Sequence, residues 1–278
     1  MPSRPVASAP SDHRLSLVHA AHPSVEHAPD ALLHVPRGAH LDGPFHVVLF
    51  LHGYSGCVEV LASSELSVRC RPSLPESGTN RGMPGFGVVE AHDAAGTDTL
   101  LLIPQLAWME REGSPGRLGR PGETRALIEE ALTAADLPPT LASVTVVAHS
   151  AAFESTLAVI RQGGLEEDLR SVVLLDALYS GGPAFLAWAR AGTDARPRTL
   201  ISIYTGGTPR RQTEALIPDA RRALGSGLWI DPPELGALAA LRAPARAVFL
   251  HVRGAHGDVP RRQLGPVLAA LDLPRISD

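Results

Sequence analysis

Short, unbroken apolar runs recur along this chain, and each is fenced by turn-forming residues. HVVLFL (46–51), TLLLI (99–103), SVTVVA (143–148), SVVLLD (171–176), LISIY (200–204) and AVFLH (247–251) are the clearest. ALLHV (31–35) reads as a shorter first strand. None alternates polar with apolar, so none suits a sheet with one wet face. Continuous runs of this length fit parallel strands covered on both sides. Between them lie segments of helical period. Residues 123–134 place Leu127, Ile128, Ala131 and Leu132 on one face, and 151–162 is apolar almost all round. Weaker helical patterns cover 184–191, 210–224, 234–241 and 261–271. Strand–helix alternation predicts an α/β fold with a mostly parallel central sheet and helices on both faces.

The 278 residues are enough for a sizeable core in one domain. Residues 1–30 are rich in Pro, Ala, Ser and His without periodicity, and read as a loosely held arm before a single domain over 31–278. A net charge of −4 excludes a nucleic-acid partner that relies on neutralising phosphates. No apolar run reaches a membrane span, and the N-terminus lacks the apolar stretch of a signal peptide. The expected location is therefore cytoplasmic. Cys57 and Cys70 do not form a metal-binding spacing and read as reduced thiols, with a disulfide between them as the lesser alternative. Every basic residue other than histidine is arginine. With no lysine, a Walker A loop, a Ser-x-x-Lys pair and a Schiff-base mechanism are all excluded. The Ala, Arg, Pro and Gly bias suits a GC-rich bacterial genome.

VTVVAHSAAFESTLAVIRQGG (144–164) carries a strand straight into a helix with almost no loop, and Ser150 stands at the corner. So sharp a turn strains the corner residue and demands small residues two before and two after, here Ala148 and Ala152. It lifts the hydroxyl above the carboxyl end of the strand, where ligands bind in open α/β sheets. An N-cap serine is the plainer alternative for the pentapeptide alone. The arrangement resembles the nucleophile elbow of the α/β-hydrolase superfamily, with A-H-S-A-A standing where G-x-S-x-G is usual.

That resemblance implies the rest of a site. The oxyanion donors would be the backbone N–H groups of Ala151 and Tyr54, the latter in HGYSG (52–56) after the strand 46–51. The general base would be His256, on the loop after the last strand. The acid would be Asp176, ending the strand directly after the nucleophile helix. Asp231 and Glu214 stay open as alternatives, because the more usual acid position after strand 200–204 holds no carboxylate. His52 is expected to organise its loop, His149 to point away from the nucleophile, and Asp258 to cap a helix. His19, His22 and His27 lack a helical pattern that would align them on a metal.

The implied chemistry is hydrolysis of a carboxylic ester through an acyl-enzyme, with no metal or organic cofactor. Amide hydrolysis or acyl transfer by the same triad, and a catalytically silent binding protein, are the alternatives. The substrate would be a small-molecule or lipid-like acyl compound. Residues 177–199 leave room for one short helix and no large cap domain. The long connection 57–98 would overhang the site. Gln105, Trp108, Tyr179, Trp188 and Thr205 are the expected lining residues.

Overall fold

A computed structural model describes residues 5–22, 28–54, 56–78, 80–107, 114–232 and 245–276. The chain enters through β1 (Ser11–Leu15), β2 (Ala31–Val35) and β3 (Phe45–Leu51), followed by α1 (Val58–Ala62) and α2 (Val88–Asp93). Next come β4 (Leu100–Pro104), α3 (Glu123–Ala134), β5 (Leu141–His149) and α4 (Phe153–Gln162). The second half holds β6 (Leu169–Leu175), α5 (Gly182–Arg190), β7 (Arg198–Tyr204) and α6 (Gly207–Leu224). It closes with β8 (Leu228–Ile230), β9 (Ala245–His251) and α7 (Val259–Ala270). The expected helix at 234–241 falls outside the described residues.

Nine strands form one sheet in the order β1-β2-β4-β3-β5-β6-β7-β9-β8. The pairs β1/β2 and β2/β4 are antiparallel; every pair from β4 to β8 is parallel. The apolar runs lie where both faces are covered. Successive residues of one strand feed opposite cores. Leu49, Val146, Val172 and Leu174 pack against α3, α4, α5 and α6 on one side. Val48, Phe50, Val147 and Val173 pack against α1, α2 and α7 on the other. A strand buried on both sides has no reason to alternate, which is why period two is missing from the sequence. A single helix, α5, links β6 to β7, so no large cap stands there.

The N-terminal segment departs from its expectation. SDHRL pairs along its whole length with β2 and extends the sheet at its edge. Arg14 clasps Glu59 of α1 with two parallel hydrogen bonds, at 2.8 and 2.9 Å. Beyond the strand, Asp30 accepts from the Leu17 amide, and Glu130 accepts from those of Val18 and His19. Leu15, Leu17, Ala20 and Ala21 are buried. As an edge strand with one bonded side it needs little apolar surface, so no apolar run announced it.

The reduced-thiol reading is also corrected. Cys57, just before α1, is bridged to Cys70, with Cα atoms 5.7 Å apart. The connection folds back through paired Val68 and Met83 and returns Cys70 to the start of α1. Closing a loop of this size contributes about 3 kcal/mol by restricting the unfolded chain. Cys57→Ser with Cys70→Ser is therefore expected to lower the unfolding free energy by about 2–4 kcal/mol. Urea denaturation of both proteins measures it, and an unchanged midpoint contradicts the bridge.

Candidate active site

Ser150 occupies the β5–α4 corner with φ of +57°, left-handed backbone that a non-glycine residue adopts at a cost of about 1–3 kcal/mol. Ala148 and Ala152 flank it, both fully buried. The turn from β3 presses on this corner from the other side. A Cβ built on Gly53 would stand 2.5 Å from the Ser150 Cβ and 3.0 Å from the Ala151 nitrogen. Only glycine permits that approach, and it brings the backbone leading to Tyr54 against the amide of Ala151. His52 anchors the turn from below. It is buried; its Nδ1 bonds the Gly53 carbonyl at 2.9 Å, and its Nε2 accepts from the Leu106 amide at 2.8 Å. Burial lowers its pKa to about 4, so the ring is neutral.

Asp176 follows β6 directly, also at positive φ (+49°), and is buried. Its Oδ2 accepts from His256 Nδ1 at 2.8 Å and from the Thr205 hydroxyl at 2.6 Å. Its Oδ1 accepts from the Thr205 amide at 3.0 Å. Burial raises the carboxyl pKa, but bonds from His256 and Thr205 and the His256 charge outweigh it, so the net shift is downward. The His256 side chain is 42% exposed, on the loop between β9 and α7. Chain segments that leave β5, β6, β7 and β9 thus converge above one edge of the sheet. The alternative acids are engaged elsewhere: Asp231 accepts from the His251 amide at 2.7 Å, and Glu214 pairs with Arg210 on α6.

Several expected positions have other surroundings. Gln105 is fully buried; it caps the Val58 amide at 3.2 Å and donates to the Leu106 carbonyl at 2.9 Å, so it supports the turn instead of lining a cleft. Thr205 holds Asp176. Trp188 is buried on α5 beneath the Arg198 guanidinium. Trp108 lies outside the described residues. Tyr179 is half-buried beside the Ser150 corner and stacks on Phe153, ring centroids 6.0 Å apart. Burial and the Asp176 charge raise its phenol pKa, against a hydrogen bond with the Ser150 hydroxyl. Asp258 precedes α7 as expected, yet its carboxylate makes no capping bond and faces Arg262 at 3.5 Å.

His149 makes a contact that the sequence did not announce. Its ring is buried and stacks on His256, with centroids 4.6 Å and planes 30° apart. Its Nε2 lies 3.2 Å from the His256 carbonyl. The loop carrying His256 crosses on the side that His149 takes. Phe86, from the long 57–98 connection, packs edge-on against the other part of this ring at 5.5 Å. That connection therefore reaches the site through Phe86.

The strand order and the alternation of parallel strands with helices are those of the α/β-hydrolase fold. No family model and no curated protein matches the chain. Solved structures do. The chain superposes on the feruloyl esterase module from Clostridium thermocellum, in complex with sinapinate, at TM-score 0.53 and 10% identity, covering 96% of this chain and 95% of that one. A truncated carbohydrate esterase from gut microbiota gives 0.48 and 13%, with 96% and 97% covered. A thermostable carboxylesterase from a metagenomic library gives 0.47 and 12%, with 96% and 88% covered. The chain has the α/β-hydrolase fold.

His149 and His52 have folded pKa values of about 3 and about 4, against 6.5 ordinarily; burial is the main cause, joined for His149 by the His256 charge. Between those values and 6.5 the unfolded chain binds protons that the folded chain refuses. Their contribution to stability is complete above pH 6.5 and is lost as pH falls below it. The urea midpoint should fall across this window, and His149→Gln should make the fall shallower. An identical slope in the variant contradicts a neutral, buried His149.

Proposed function

We propose that this chain is a serine-dependent hydrolase of carboxylic esters, working through an acyl-enzyme. The observation that carries the reading is the His256–Asp176 bond at 2.8 Å above the same sheet edge as the positive-φ Ser150. In this reading Ser150 Oγ attacks the acyl carbonyl while His256 Nε2 takes its proton. Asp176 bonds Nδ1–H, fixing the tautomer and stabilising the imidazolium that forms. The N–H groups of Ala151 and Tyr54 receive the oxyanion, each such donor being worth roughly 2.7–4 kcal/mol in the transition state. His256 protonates the departing alcohol, then activates the water that frees Ser150. The strain at Ser150 holds the hydroxyl clear of the helix that follows it.

The superposition on the feruloyl esterase module supports the ester class, and Tyr179 with Phe153 offers an aromatic wall for an acyl or aryl group. The substrate in this reading is a small ester that enters from the exposed side of His256. Among the described residues no helix is long and apolar enough to cross a membrane. The Cys57–Cys70 bridge is at home in an oxidising compartment, which weighs against the cytoplasmic placement expected from composition.

A fluorophosphonate probe is expected to label the intact protein and to leave Ser150→Ala unlabelled. Matched p-nitrophenyl ester and anilide series should then be turned over with esters well ahead. Failure to label contradicts the enzyme reading, and faster anilides contradict the ester class. Asp176→Asn should lower kcat by about four orders of magnitude with the fold intact by circular dichroism. Near-normal turnover moves the acid to another carboxylate. Thr205→Val removes one of the bonds that hold Asp176. It should cost about tenfold or more in kcat with KM little changed, and Thr205→Ser should restore most of the loss.

A further inference from the structure

A second cluster of titratable groups lies at the antiparallel edge of the sheet, built from β1, β2 and α2. Ligand-type atoms of His34, His92 and Asp93 all lie within 4.8 Å of one another. His34 and His92 are buried, each 1% exposed, with rings in edge contact at 5.6 Å. His34 Nδ1 bonds Asp12 at 2.7 Å, and its Nε2 bonds Asp93 at 2.9 Å. His92 Nε2 bonds the Thr99 hydroxyl at 2.9 Å, itself 2.9 Å from Thr97. His92 Nδ1 is buried and has no hydrogen-bond partner.

An orphaned ring nitrogen in the interior is costly, and the groups around it are the donor types a transition metal takes. A neutral imidazole carries a lone pair on one of its two ring nitrogens. Donation of Nε2–H to Thr99 leaves that lone pair on Nδ1. Metal-bound histidines characteristically give their other ring N–H to a carboxylate or another fixed acceptor, which sets the tautomer. Asp12 does this for His34, and Thr99 does it for His92.

We propose that His34 Nε2, His92 Nδ1 and the Asp93 carboxylate form a binding site for a borderline divalent cation, zinc foremost. Two imidazoles and one carboxylate suit zinc by donor softness. With metal–ligand bonds of about 2.0–2.2 Å, the donors of one tetrahedron sit about 3.3–3.5 Å apart. The ligand-type atoms lie within 4.8 Å of one another, and an ion seated among them would replace the 2.9 Å bond from His34 Nε2 to Asp93. The carboxylates of Asp12 and Asp93 are 38% and 41% exposed, so the ion has a route from solvent and a water can complete the coordination. Bound there, the ion ties β2 to the end of α2. The site is separate from Ser150 and its partners and does not depend on the chain's activity.

The test uses the full chain, stripped with a chelator and titrated with zinc chloride by calorimetry and thermal melting. The expected result is saturable uptake of one zinc per chain with a raised melting temperature. Cobalt substitution should give the intense visible absorption of a tetrahedral site. His92→Gln and Asp93→Asn should each weaken zinc binding at least about tenfold, while Ser150→Ala binds as the parent does. Should His92→Gln fail to fold, the part-exposed Asp93→Asn decides alone. Absence of stoichiometric uptake overturns the site, and so does undiminished affinity in either folded variant, which would assign the zinc to other histidines.

Discussion

Parallel pairing is the constraint on which everything else in this molecule rests. From β4 across the sheet to β8 every pair is parallel, and the described connections from β3 through β8 each return through a helix. The consequence is that the chain leaves β3, β5, β6, β7 and β9 at one edge. Residues far apart in sequence arrive there with backbone groups the strands no longer use. His52 and Gly53, Ser150, Asp176, Thr205 and His256 all follow strand ends. The cores on the two faces hold the strands rigidly enough that loops at this edge can keep strained conformations.

Strain and burial are concentrated at that edge and offset locally. Ser150 and Asp176 both adopt positive φ. Asp176 is a buried carboxylate, which would be costly alone; three hydrogen bonds from two residues keep it ionised. His256 is held on two sides, by Asp176 through Nδ1 and by the flat face of His149. Gln105 and His52 contribute from beneath. They fix the β3 turn against the Ser150 corner, and Gly53 is small enough to allow that contact. These bonds and contacts form a supporting layer around Ser150, Asp176 and His256.

Legibility in the sequence followed the range of the interactions. The apolar runs located β2 to β7 and β9 to within a few residues, because burial on both faces writes itself into consecutive positions. The β5–α4 corner was legible because its demands, a small residue on each side and a helix directly after, are local. Asp176 was legible as a carboxylate at the end of a Val- and Leu-rich run. The partners of Thr205, Gln105 and His149 were not legible, because nothing local distinguishes a threonine that bonds a carboxylate from one that lines a cleft. β1 escaped because an edge strand of polar residues carries no hydrophobic signature.

By itself the sequence determined the layer architecture, the order of the strands' chemistry along the chain and the corner at Ser150. These depend on burial periodicity and turn sterics, which act between near neighbours. Tertiary structure alone decided which carboxylate meets His256, which ring lies under it, that Cys57 and Cys70 meet, and that His34 faces His92. Each of those joins separate elements of the fold. Such pairings are set by how strands register and helices dock, and short-range pattern carries no record of them.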